Sequence, residues 1–161
     1  MTLAERTIAI APVVKTVTVK ASQAHAFQIF TTRFATWWPA THHIGKAPLA
    51  NAVIEPKVDG RWYEVGDDGS ECDWGRVLAW EPPARLVLSW HLDGDFQVRA
   101  DTFSEVEVTF TPLGDRLTRV TLEHRGLERF GAKNGERLRG KVGSEGGWGG
   151  ILDLYARAAS D

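Results

Sequence analysis

Apolar and polar residues alternate with period two along most of this chain, the pattern of strands with one face buried. Over 13–20, Val17 and Val19 alternate with Thr16, Thr18 and Lys20. Over 104–111, Val106, Val108 and Phe110 alternate with Glu105, Glu107 and Thr109. Over 116–124, Val120 and Leu122 face away from Arg119, Thr121 and Glu123. Segments 51–58, 61–65, 72–80 and 85–92 read as four further strands. Asp59-Gly60, Asp67-Asp68-Gly69-Ser70 and Leu113-Gly114-Asp115 predict turns, and Glu81-Pro82-Pro83 breaks a strand.

Two segments switch to helical spacing. Ser22 predicts an N-cap for a helix carrying Ala26, Phe27, Ile29, Phe30 and Phe34. That helix ends by Trp37-Trp38-Pro39, because proline disfavours α geometry in the residue before it. Near the C-terminus, Trp148, Ile151, Leu152 and Tyr155 fall at i, i+3, i+4 and i+7, predicting a closing helix over about 144–158. Residues 1–11 read as a loose lead-in, 40–50 and 93–102 as loops, and 126–143 as loop with one short helix. An antiparallel sheet must cover its apolar face, and the closing helix is the only long element available to do so. The expected fold is α+β in a single domain over 1–161, with its core over 13–158. About seven antiparallel strands curve around a long C-terminal helix, and two short helices follow the first strand.

Composition narrows the function classes. Hydrophobic residues make up 43% and charged residues 25% of 161 residues, as in a globular domain. A formal charge of −2 with no basic run lacks the footprint of nucleic-acid or anionic-membrane capture. No stretch of 18 consecutive apolar residues and no leader pattern occurs, so a cytoplasmic protein without membrane insertion is expected. Cys72 is the single cysteine, so no internal disulfide is expected. No zinc or iron ligand spacing appears, and no metal or other cofactor is expected. His42 and His43 are adjacent in a loop and read as solvated. The glycines around 140–150 lack the phosphate-loop signature and read as allowing close approach of helix to sheet.

Seven tryptophans are more than a compact core of this size requires, and a cavity lined by indoles would account for the surplus. Trp62, Trp90 and Trp148, with Leu152 on the stripe of Trp148, are candidate lining residues; Trp74 and Trp38 are placed near an opening. Strand alternation puts Trp62 with Glu64, His124 with Val120 and Leu122, and Trp74 with Arg76, Leu78 and Trp80. Glu64, Arg76 and His124 are thus expected to project inward, either to orient a polar ligand group or as a structural ion pair and a satisfied core histidine. No catalytic residue is assigned, because no nucleophile motif is present.

The element order and its landmarks resemble the SRPBCC superfamily of START-like, helix-grip folds. More narrowly, they resemble the branch of activator of heat shock protein 90 ATPase homologues. The landmarks are Trp37-Trp38-Pro39, Gly60-Arg61-Trp62-Tyr63-Glu64, Trp74-Gly75-Arg76-Val77, Pro82-Pro83-Ala84-Arg85-Leu86-Val87 with Trp90, Leu122-Glu123-His124 and Gly147-Trp148. The resemblance implies a helix-grip fold. It includes hydrophobic-ligand carriers, polyketide cyclases and co-chaperone modules, so function does not follow from fold. The leading expectation is a non-enzymatic binder of a small hydrophobic or aromatic molecule, in a cavity between sheet and C-terminal helix. The alternatives are a cyclase or hydrolase using the same cavity, with His124 or Glu64 as base, and a protein-interaction module or homodimer presenting Trp37 and Trp38. A chaperone partner is expected least, since the chain has no room for the separate N-terminal domain of the activators.

Overall fold

In the computed structural model, which describes residues 9–160, seven antiparallel strands form one sheet in the order β1-β7-β6-β5-β4-β3-β2. The strands are β1 Val13–Val19, β2 Leu49–Ile54, β3 Arg61–Gly66, β4 Glu71–Glu81, β5 Arg85–Trp90, β6 Ser104–Gly114 and β7 Leu117–Arg125. The helices are α1 Gln23–Phe30, α2 Ala132–Val142 and α3 Gly150–Ala159, with 3-10 turns at Phe34–Thr36 and Leu127–Phe130. This is the expected helix-grip α+β arrangement. Most of the predicted lead-in, residues 1–8, lies outside the described residues.

Local rules explain the elements. Ser22 accepts a hydrogen bond from the His25 amide at 3.2 Å and starts α1, whose Ala26, Phe27 and Phe30 turn inward. On α3, Ile151, Leu152, Tyr155 and Ala159 are buried against the concave face of the sheet. The Tyr155 hydroxyl donates to the Ala26 carbonyl at 2.7 Å, so the last helix is tied to the first. Burial pushes that hydroxyl well above the ordinary tyrosine range. Phe30 packs edge-on to both Phe110 and Tyr155, and these side chains with Leu122 and Leu152 fill the middle of the grip solidly.

The C-terminal third departs from expectation twice. Segment 126–143 is mostly helix: α2 runs eleven residues and buries Gly135, Leu138 and Val142 on one side. The closing helix is shorter than expected, ten residues beginning at Gly150, because Gly147 takes a non-helical ψ of −137° inside a π-type turn at Glu145–Gly149. A Cβ on Gly147 would collide with the carbonyl oxygens of Lys141 and Val142, so this turn packs down on the end of α2 only because residue 147 is glycine. Glu105 and Glu107 lie half-buried on the outer face of the sheet. They are held by Arg85, Arg125 and Arg129.

Candidate functional site

The fold leaves open space beyond the N-terminal end of α3 rather than along its length. It is a cavity of about 590 Å³ between β4 and β5, the loop from Thr41 to Ile44, the loop from Leu92 to Gln97, and the π-type turn before α3. Trp38, Trp74, Trp90 and Trp148 form much of its wall. Trp74 sits on β4, Trp90 ends β5, Trp38 follows the first 3-10 turn, and Trp148 sits in the π-type turn. Their rings lie close together: 5.2 Å from Trp38 to Trp74, 6.1 Å from Trp38 to Trp148, and 5.7 Å from Trp90 to Trp148.

Each of these indoles spends its N–H inside the protein. Trp38 donates to the His42 carbonyl at 2.9 Å, Trp74 to Glu64 Oε1 at 2.8 Å, Trp90 to the Leu92 carbonyl at 2.8 Å, and Trp148 to His124 Nδ1 at 3.0 Å. With the polar atoms committed, the wall these rings make is hydrocarbon in character, suited to apolar and aromatic matter.

Five expected site residues stand elsewhere. Trp62 and Leu152 are fully buried and do not line the cavity; Trp62 backs it, with ring centroids 5.5 Å from Trp74 and 5.6 Å from Trp90. Its Nε1 is the one buried side-chain polar atom without a partner among the described residues. Glu64 points inward as expected, but it pairs with neither Arg76 nor open space. Its carboxylate accepts N–H bonds from Ile44 at 2.6 Å, Gly45 at 3.0 Å and Trp74, which pins the loop at the cavity mouth. Arg76 is on the wrong face for the predicted trio. Between Trp62 and Tyr63 the β3–β4 register shifts, Gly75 pairs with Trp62, and Arg76 turns outward to donate to the Asp59 carbonyl at 3.2 Å. A second shift between Val77 and Ala79 also leaves Leu78 outward. The bulges break the strict alternation on which Arg76 was placed.

His124 shares the inward face of β7 with Val120 and Leu122, yet it is sealed behind Trp148 and Trp90 at 0% exposure. Its Nδ1 accepts from Trp148, so the ring proton sits on Nε2, which donates to Ser104 Oγ at 2.8 Å. The Ser104 hydroxyl in turn reaches the Trp90 carbonyl at 3.4 Å. Burial pushes the imidazole down to about 3, so it stays neutral and holds an indole in place. Sealed in this way, it is not a base for a cavity ligand.

That depression has a testable sign. The unfolded chain takes up a proton near pH ~6.5 that the folded chain refuses, so stability is complete above that value and falls as pH drops toward about 3. The loss should be ~2 kcal/mol at pH ~5. Urea unfolding at pH ~7 and ~5 should show it in the wild type, and His124→Gln, which offers an acceptor and a donor but does not titrate, should show a correspondingly smaller drop. Equal drops in the two proteins would remove His124 as the cause.

Sequence reasoning missed the polar side of the cavity. His42 and His43, read as solvated, both line it. So do Phe96 and Gln97, from a segment read as featureless loop. That loop is built on Asp93, 2% exposed, which accepts from the amides of Asp95 and Gln97 and from Arg99. Burial opposes its charge, but those N–H donors outweigh burial and hold the carboxyl below its usual range. The Asp-Gly-Asp run at 93–95 was the available signal, because aspartate caps turns of this kind. At the tip, Phe96 adopts a left-handed φ of 56° and remains 39% exposed beside the cavity. Among the described residues no group of three or more His, Cys, Asp or Glu could hold a metal ion, and no described helix is long and apolar enough to cross a membrane.

Known proteins share this architecture. An anthrahydroquino-gamma-pyrone synthase, Txn09, solved in complex with SUM, is 41% identical over 92% of this chain and 97% of its own, with a TM-score of 0.64. CalC from Micromonospora echinospora, a self-sacrificing resistance protein, is 33% identical over 92% of this chain and 94% of its own, with a TM-score of 0.68. Protein MLL2253 from Mesorhizobium loti, at 23% identity, 91% and 94% coverage and a TM-score of 0.64, shares the fold. No curated protein matches the chain in sequence. The family model for activator of Hsp90 ATPase homolog 1-like protein matches residues 20–157, and the chain therefore belongs to this branch of the SRPBCC superfamily.

Proposed function

We propose that this protein binds a small, flat aromatic molecule in the indole-walled cavity. The observation that carries the reading is the wall itself: four tryptophans around one half-enclosed space, each with its N–H already satisfied. A cavity of about 590 Å³ is in the range of small-molecule sites and suits a ligand of about three or four fused rings. That Txn09, at 41% identity, is a synthase of an anthrahydroquino-gamma-pyrone supports an aromatic polycycle as the ligand class.

The same neighbour favours one second reading, that the bound molecule is also converted. The interaction reading in the form that used Trp37 and Trp38 loses its basis, since these side chains are only 5% and 8% exposed.

Titration with anthracene-type compounds should quench tryptophan emission strongly and saturably. Ile151→Trp, which fills the space at the first turn of α3, should abolish the saturable part while the protein stays folded. Absence of quenching in the wild type, or equal quenching in the filled variant, defeats the proposal.

A further inference from the structure

His42 and His43 are consecutive, both line the cavity, and their hydrogen bonds give them opposite roles. A carbonyl oxygen only accepts, so a ring nitrogen facing one carries the proton, and a neutral imidazole has a single such proton. His43 Nδ1 lies 2.8 Å from the Gly45 carbonyl, so His43 is the Nδ1–H tautomer. Its Nε2 then holds a lone pair, and this nitrogen has no hydrogen-bond partner among the described residues. For His42 the pattern is reversed. Its Nε2 lies 2.7 Å from the Gly146 carbonyl and carries the proton, while Nδ1 accepts from the Thr41 hydroxyl at 3.0 Å. His42 is therefore a latch between the loop and the π-type turn, and His43 is free to meet a ligand.

The rest of the cavity wall sharpens this distinction. The four indole N–H groups are spent, and no indole offers an acceptor. Lys141 donates to the Gly94 carbonyl, and the Asp95 carboxylate holds Arg137 at 3.1 Å. Of the side-chain nitrogens lining the cavity, only His43 Nε2 presents an uncommitted lone pair. The scaffold behind it is fixed: Glu64 binds the amides of Ile44 and Gly45 and so holds the very residue whose carbonyl sets the His43 tautomer. Indole walls beside a histidine acceptor preset by its own tautomer call for an aromatic ring system bearing a hydrogen-bond donor.

We propose that the cavity selects a phenolic polycyclic aromatic, and that His43 Nε2 accepts the hydrogen bond of its hydroxyl. This rests on the aromatic-ligand reading above, and its test separates the two. The probes are 2-hydroxyanthracene and 2-methoxyanthracene, equal in ring system but differing in the donor, in slightly alkaline buffer where free phenols stay protonated. Tryptophan quenching should give the hydroxy compound about tenfold tighter binding than the methoxy compound, the worth of one good hydrogen bond. In His43→Phe the preference for the hydroxy compound should vanish, leaving the two with equal affinities. Independently of any variant, ¹⁵N spectra of histidine-labelled wild type should show His43 protonated at Nδ1 and His42 at Nε2. The His43 Nε2 resonance should move on adding the hydroxy compound and stay on adding the methoxy compound. Equal affinities in the wild type, a preference that survives His43→Phe, or an Nε2–H tautomer at His43 overturns this inference alone. If neither compound quenches the wild type, the aromatic-ligand reading falls and takes this inference with it.

Discussion

Gly75→Ala should cost more than ~4 kcal/mol, enough to leave little folded protein in a domain of ordinary stability. Gly75 sits in the β4 bulge opposite Trp62, and a Cβ there would run into the carbonyl oxygen and carbon of Ser89 on β5. Both are backbone atoms of a neighbouring strand, so no rotamer change relieves the overlap. The strands would have to separate where Ser89, itself buried, accepts the Arg76 amide at 2.8 Å and His91 donates to the Trp74 carbonyl at 2.8 Å. Gly75 is not in a left-handed conformation, so the penalty is steric rather than conformational. Far-UV circular dichroism and urea unfolding measure it. A Gly75→Ala protein within ~1 kcal/mol of wild type would mean that β4 and β5 do not approach this closely.

The bulge also marks where the sequence ceases to be legible. Alternation on β3 and β7 placed Trp62, Glu64, Val120, Leu122 and His124 inward, and all five are buried. Those stretches keep period two where it was read. On β4 the period breaks at Trp74-Gly75, and the one-residue slip sends the next side chains to the other face until the second shift at Val77–Ala79, which is how Arg76 came to be misplaced. A glycine inside a strand pattern was the available warning. Helix α2 was obscured for another reason. Its Gly135, Leu138 and Val142 have helical spacing, but the charges at Lys133, Glu136, Arg137, Arg139 and Lys141 dominate the segment's composition. The cavity histidines had no local signature at all. A His-His pair in a loop becomes part of a wall only because β3 carries a carboxylate that draws the loop down onto the indoles.

Removing that carboxylate should therefore damage the site without touching a lining side chain. Glu64→Ala leaves the Trp74 indole and the amides of Ile44 and Gly45 without their acceptor. Each unsatisfied buried donor costs about 1–3 kcal/mol, and the loop amides recover part of this by reaching water, so a loss of ~3–5 kcal/mol is expected. Glu64→Gln is graded. Its single carbonyl oxygen can take the Oε1 place and keep Trp74 and Ile44, while its NH₂ group faces the Gly45 amide, donor against donor. The damage in this variant centres on Gly45, whose carbonyl sets the His43 tautomer. Urea unfolding should rank wild type above Glu64→Gln and Glu64→Ala last. Amide exchange should accelerate first at Gly45 in the glutamine variant and at both Ile44 and Gly45 in the alanine variant. Binding of 2-hydroxyanthracene should weaken in the same order, with the glutamine variant losing its preference over the methoxy compound before it loses affinity for the ring system. Unchanged exchange at both amides in Glu64→Ala would show that the loop is held by something other than this carboxylate, and the link from Glu64 through Gly45 to His43 would be broken.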